Sequence, residues 1–133
     1  MENEIQVPIN SDQDIVAARQ KGRSLATALG FSSGDATLIA TAISELARNI
    51  ITYAKSGEIR LTVINGSARQ GIQLVAHDQG PGIPDVQQAL RDGFSTSGSL
   101  GLGLPGVMRL VDEFEIVSEE NRGTTVTAKK WKP

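Results

Sequence analysis

Ile5, Val7 and Ile9 are separated by Gln6 and Pro8, the two-residue period of a half-buried strand. The period then lengthens. Ile15, Ala18, Gly22, Leu25 and Leu29 recur at helical spacing, with Ser11 or Asp12 available as the cap and Gly30 as the stop. Ser32 or Ser33 starts a second helix. Its predicted inner face is Leu38, Ile39, Ala42, Ile43, Leu46 and Ile50, and it runs to about Ala54, before Ser56-Gly57. Alternation returns in Ile59, Leu61 and Val63 and again in Ile72, Leu74 and Ala76, two strands joined as a hairpin through Asn65-Gly66.

Gly80-Pro81-Gly82-Ile83-Pro84 breaks regular structure. Asp85 is placed to cap a short helix through Leu90. Residues 93–103, rich in glycine and hydroxyls, read as a mobile loop. Pro105 suits the first turn of a helix carrying Val107, Met108, Leu110 and Val111. Phe114, Ile116 and Val117 form a strand, Asn121-Arg122-Gly123 turns the chain, and Thr124 to Trp131 is the last strand. This order predicts an α+β two-layer sandwich: a mixed, mostly antiparallel sheet with helices on one face, in one domain over residues 1–133.

Composition narrows the chemistry. The chain has no cysteine and a single histidine, His77, which excludes disulfides, thiolate metal sites and thiol catalysis and leaves no material for a multi-histidine site. His77, on a strand beside the glycine turn, reads as structural, and Tyr53 and Trp131 as packing residues. The net charge of −2 argues against nonspecific nucleic-acid binding. Lys129, Lys130 and Lys132 read as a solvated strand end. No apolar run has the length of a membrane span or a signal segment, so the expected setting is cytoplasmic, with no membrane partner.

Four short blocks carry the candidate chemistry. Glu45 and Asn49 stand one helical turn apart, at the edge of the second helix's apolar stripe. A carboxylate there can accept a proton from an attacking hydroxyl, and a neutral amide oxygen suits Mg²⁺. Asp78 ends an alternating strand ahead of Gly80 and Gly82; it can accept a hydrogen bond from an exocyclic amine such as adenine's, with the glycines allowing a flat approach and Ile83 covering a ring. Gly101-x-Gly103-x-x-Gly106 has the spacing of a dinucleotide fingerprint but follows a hydroxyl-rich segment rather than a strand. It reads better as a loop entering a helix N-terminus, where bare amides attract phosphate oxygens. Thr124, after Gly123, offers a hydroxyl at the start of the last strand. Each block alone is also what an ordinary helix surface, turn, loop or strand carries; their jobs converge only on one ligand, ATP.

In order and spacing the blocks resemble the ATP-binding fold shared by gyrase, Hsp90, histidine kinases and MutL. Glu45-Leu46-Ala47-Arg48-Asn49 is similar to that family's N-box, Asp78-Gln79-Gly80-Pro81-Gly82-Ile83 to its first glycine box, Gly101-Leu102-Gly103-Leu104 to the second, and Gly123-Thr124 to its closing element. The resemblance implies Glu45 as base, Asn49 as Mg²⁺ ligand, Asp78 on the adenine amine, Thr124 near the base, and Gly80, Gly82, Ile83, Gly101, Gly103 and Leu104 around the nucleotide.

Asp92-Gly93-Phe94-Ser95-Thr96-Ser97-Gly98 and Gly103-Leu104-Pro105-Gly106-Val107 extend the likeness to the small anti-sigma serine kinases. That group implies Mg-ATP-dependent phosphorylation of serine or threonine on STAS-domain antagonist and scaffold proteins of a stressosome partner switch. It also implies activation of a PP2C-type phosphatase. Between residues 93 and 108 there is no Lys or Arg, and the candidates for a cation on a γ-phosphate are Arg48, Arg91 or a partner. A nucleotide-tuned binding module that sequesters a partner stays open as the alternative.

Overall fold

The computed structural model describes residues 4–82 and 103–133. These form β1 (Glu4–Ile9), α1 (Asp12–Ala28), α2 (Ser33–Ala54), β2 (Gly57–Asn65), β3 (Gln70–Asp78), α3 (Gly103–Leu110), β4 (Glu113–Glu119) and β5 (Gly123–Trp131). The helix predicted to end near Leu90 and residues 93–102 of the predicted loop lie outside the described residues. Gly103 itself opens α3, because the first helical turn leaves its amides unbonded and so admits Pro105.

Local signals set the boundaries. The Asp14 carboxylate accepts from the backbone N–H groups of Asn10 (2.8 Å) and Ser11 (3.2 Å), tying down the start of α1. Leu29 caps its other end, and Gly30 turns away at φ +92°. The Lys132 ammonium donates to the Leu29 carbonyl at 2.9 Å, so one of the terminal lysines completes a helix C-terminus rather than standing free. Ser32 caps α2 by accepting from the Asp35 N–H at 3.1 Å.

The sheet runs β1-β2-β3-β5-β4, and all four described pairings are antiparallel. β2 and β3 form the predicted hairpin, with the Gly66 N–H donating to the Arg69 carbonyl at the turn. β5 returns between β3 and β4, so β3 is flanked by its hairpin partner β2 and by the last strand of the chain. Strand alternation then sorts side chains by face. Val7, Ile9, Ile59, Leu61, Ile72, Leu74, Ala76, Val126 and Ala128 are buried with the inner stripes of α1 and α2 in one hydrophobic cluster. Each fully buried Ile or Leu contributes about 1.5–3 kcal/mol. Leu38, predicted inside, is only half-buried, and Val117 is 53% exposed on the opposite face of the sheet. No helix among the described residues is long and apolar enough to cross a membrane.

Candidate active site

α2 is longer than α1 and its burial does not follow its apolar stripe alone. Ser44 and Glu45 are buried beside Leu46 and Ala47. The Ser44 hydroxyl satisfies itself on the Ala40 carbonyl at 3.1 Å. Glu45 has no such outlet. It is 5% exposed, more enclosed than the edge position its sequence spacing predicts.

β3 and β5 supply the facing wall. Their register sets Ala76 opposite Val126 and Asp78 opposite Thr124. Because side chains two apart share a face, both rows point toward α2. Between them lies a narrow cleft. Leu46, Asn49, Ile50 and Tyr53 of α2 form one side, Ala76, Asp78, Thr124 and Val126 the floor, and Leu104 of α3 the end. A mostly apolar slot with a few polar groups is what a flat heterocycle needs.

Asp78 is 8% exposed, and its two oxygens have different surroundings. Oδ1 accepts from the Gly80 N–H at 2.9 Å and the Thr124 N–H at 3.3 Å. Oδ2 makes no hydrogen bond among the described residues. One oxygen is fixed by backbone amides; the other is left as an acceptor on the floor of the cleft. The Thr124 hydroxyl, also 8% exposed, lies 2.9 Å from the Ser118 hydroxyl, which orients it from β4.

The glycines after Asp78 answer first to the protein itself. A Cβ at Gly80 would lie 2.5 Å from the Ala54 Cβ, so the turn after β3 can close onto the end of α2 only without a side chain. At Gly123, φ is +112° and a Cβ would come within 2.1 Å of the Asp78 carbonyl, which forces glycine where β5 begins beside the carboxylate. The Asn121 N–H donates to the Pro81 carbonyl at 2.8 Å and ties this segment to the β4–β5 turn.

The structure thus brings Asn49, Asp78, Leu104 and Thr124 into one cleft, with Glu45 one turn before Asn49 and Gly80 and Gly82 directly after Asp78. Gly103 begins the helix that carries Leu104. Ile83 and Gly101 lie outside the described residues. His77 and Thr125 occupy the other face of the sheet, where Nδ1 and the hydroxyl are 2.8 Å apart. The sequence reading missed Tyr53 as a cleft residue. Its signal was present: residues 45, 49 and 53 repeat every four positions along one side of α2. Burial pushes the Tyr53 phenol above its ordinary pKa.

Three buried side-chain atoms among the described residues have no hydrogen-bond partner: Glu45 Oε1, Arg48 Nε and Asn49 Oδ1. Leaving such an atom unpaired costs about 1–3 kcal/mol. All three fall on two turns of one helix beside the cleft, where a ligand or ordered water can satisfy them. An amide oxygen, a carboxylate and an acceptor for an amine fit Mg²⁺ and a purine nucleotide.

Residues 34–133 match the histidine kinase-, DNA gyrase B- and HSP90-like ATPase family. The chain belongs to this family. Membership in this ATPase family implies the use of ATP. The chain is also 53% identical over 125 residues, 94% of each chain, to the serine/threonine-protein kinase RsbT of Bacillus subtilis. It is 36% identical over 99 residues to the anti-sigma F factor of Halalkalibacterium halodurans, covering 71% of this chain and 68% of that one. Among solved structures, the RsbU and RsbW domains of a Mycobacterium tuberculosis protein superpose with a TM-score of 0.66 at 18% identity. That match covers 98% of this chain and 33% of the other. The mycobacterial sensor histidine kinase MprB superposes with a TM-score of 0.57 at 14% identity, covering 98% and 97%. These two likenesses are of fold.

Proposed function

We propose that this ATPase-family domain is a protein-serine/threonine kinase that transfers the γ-phosphoryl group of Mg-ATP to a hydroxyl on a partner protein. The observation that carries the reading is the pair of partnerless buried atoms on α2, Glu45 Oε1 and Asn49 Oδ1, with Asn49 lining the same cleft as the half-satisfied Asp78 carboxylate. The 53% identity to a serine/threonine-protein kinase supports phosphoryl transfer to protein rather than hydrolysis alone.

Each residue has a defined task. Asp78 Oδ2 accepts the hydrogen bond of an exocyclic amine, while the Gly80 and Thr124 amides on Oδ1 hold the carboxylate in place. Thr124, held by Ser118, offers its hydroxyl beside the same ring. Apolar contacts from Leu46, Ile50, Ala76, Leu104 and Val126 exclude water from the ring. Gly80, Gly82 and Gly103, with Ile83 and Gly101, frame the nucleotide. Asn49 Oδ1 supplies a neutral ligand to Mg²⁺, which when bound neutralises phosphate charge and keeps its remaining sites for phosphate and water. Glu45 takes the proton of the attacking hydroxyl.

The wider role follows the likeness to the RsbT kinase and to anti-sigma factors. The substrates are STAS-domain antagonist and scaffold proteins of a stress-signalling partner switch in the cytoplasm. After release from them, the domain activates a PP2C-type phosphatase. The 36% identity to an anti-sigma F factor favours one second reading, a nucleotide-tuned module that sequesters its partner. Incubating the protein with γ-labelled ATP, Mg²⁺ and purified STAS domains tests both. Label on a STAS serine or threonine supports the kinase; ATP-dependent capture of the partner without label supports the module.

A further inference from the structure

Arg48 is the only basic residue of α2, and neither the fold nor the proposed roles above use it. It stands three positions after Glu45 and one before Asn49. At 3.6 residues per turn it lies about 60° from Glu45 around the helix, on the side away from Asn49. A carboxylate and a guanidinium three apart on one helix are placed to pair. Here they do not: Arg48 Nε and Glu45 Oε1 are both buried and both without a partner. Nor does Arg48 make any ion pair with another described residue.

A buried guanidinium nitrogen left open beside a buried carboxylate left open points to a third group between them. The group must carry negative charge for the arginine and present a proton donor to the glutamate. A phosphoryl group under attack by a hydroxyl meets both demands. The sequence sharpens the point, since residues 93–108, which contain the second glycine block, include no Lys or Arg. Charge building on a transferring phosphoryl group calls for a cation besides the metal.

We infer that Arg48 is a catalytic residue whose guanidinium contacts the γ-phosphoryl oxygens of ATP; this rests on the kinase reading above. In the step it serves, the acceptor hydroxyl oxygen bonds to phosphorus as the bond from phosphorus to the β,γ-bridging oxygen breaks. The electron pair of that bond leaves with ADP, and the hydroxyl proton passes to Glu45. Arg48 acts only as an N–H donor and takes no part in the proton transfer. Its contribution is to charge on the equatorial oxygens, which ADP lacks. Arg48 therefore separates ATP from ADP, whereas Asp78 treats them alike.

The test is calorimetric titration of the nucleotide-stripped protein and its R48Q and R48K variants with ATP and with ADP in Mg²⁺, alongside single-turnover transfer to a STAS domain. R48Q should lose about tenfold in ATP affinity with ADP affinity unchanged, and transfer should slow by about 10²–10³-fold. R48K, which keeps the charge but not the fork, should recover part of the preference for ATP. Retained ADP binding certifies that the variants are folded. If R48Q changes ATP and ADP affinity equally, or changes neither, Arg48 is a structural residue and the assignment is wrong. If the unaltered protein binds neither nucleotide, the kinase reading itself has failed; if it binds both and only the R48Q prediction fails, Arg48 alone is misassigned.

Discussion

His77 and Asp78 are neighbours on β3, and Thr125 and Thr124 are their partners on β5. The two pairs share a ladder and differ only in the face they occupy. On the outer face, His77 Nδ1 and the Thr125 hydroxyl satisfy each other at 2.8 Å. On the inner face, Asp78 uses one oxygen on backbone amides and keeps the other open, and α2 adds three more open atoms nearby. Both pairs are polar, cross-strand and close to the glycine turn. What distinguishes a site from a stabilising contact is therefore unsatisfied polar capacity under burial, not residue type.

Substitutions can break that contrast, beginning with the group nearest the chemistry. Glu45→Gln keeps size and burial but removes the proposed base. Phosphate transfer should fall by about 10²–10⁴-fold with nucleotide affinity kept, read by single-turnover labelling and titration. Unchanged transfer would move the proton to another acceptor. Asp78→Ala removes the charged acceptor on the cleft floor and should weaken ATP and ADP together by about 1.5–3 kcal/mol, read by the same titrations.

The outer pair should behave in the opposite sense. His77→Ala is expected to cost about 0.5–1.5 kcal/mol in urea unfolding, the worth of one hydrogen bond, and to leave nucleotide affinity where it was. A loss of nucleotide binding with stability intact would erase the distinction between the faces. The smallest effect belongs to Tyr53 at the cleft wall. Its phenol is raised by burial, so above about pH 10 the unfolded chain loses that proton before the folded chain does. The unfolded state then binds fewer protons, and stability falls as pH climbs through that window. Tyr53→Phe should flatten this alkaline slope and leave the curve near neutrality unchanged, measured by unfolding across pH.

Local patterns made much of this legible. Ile5, Val7 and Ile9 marked β1, the period change at Ile15 marked α1, and Asn65-Gly66 marked the hairpin, because each depends on neighbours within a few residues. The four-residue step from Glu45 to Asn49 placed two candidate site groups on one helix face for the same reason. Two features were out of reach. The entry of β5 between β3 and β4 pairs Asp78 with a residue 46 positions away, and no local period encodes that distance. The depth of Glu45 was the other: its spacing put it at the margin of the apolar stripe, yet it is buried. Tyr53 failed for a subtler reason. An aromatic at the end of an amphipathic helix packs against something, and sequence alone does not say whether that is core or ligand.

The central claim is that the open oxygen of Asp78 recognises the amine of adenine in the cleft between α2 and the β3–β5 ladder. Titrating the nucleotide-stripped protein with ADP and with inosine diphosphate, which presents a carbonyl where adenine presents the amine, tests that contact alone. The account predicts binding of ADP and at least tenfold weaker binding of inosine diphosphate, since two acceptors would then face each other. Equal affinity for the two would contradict it.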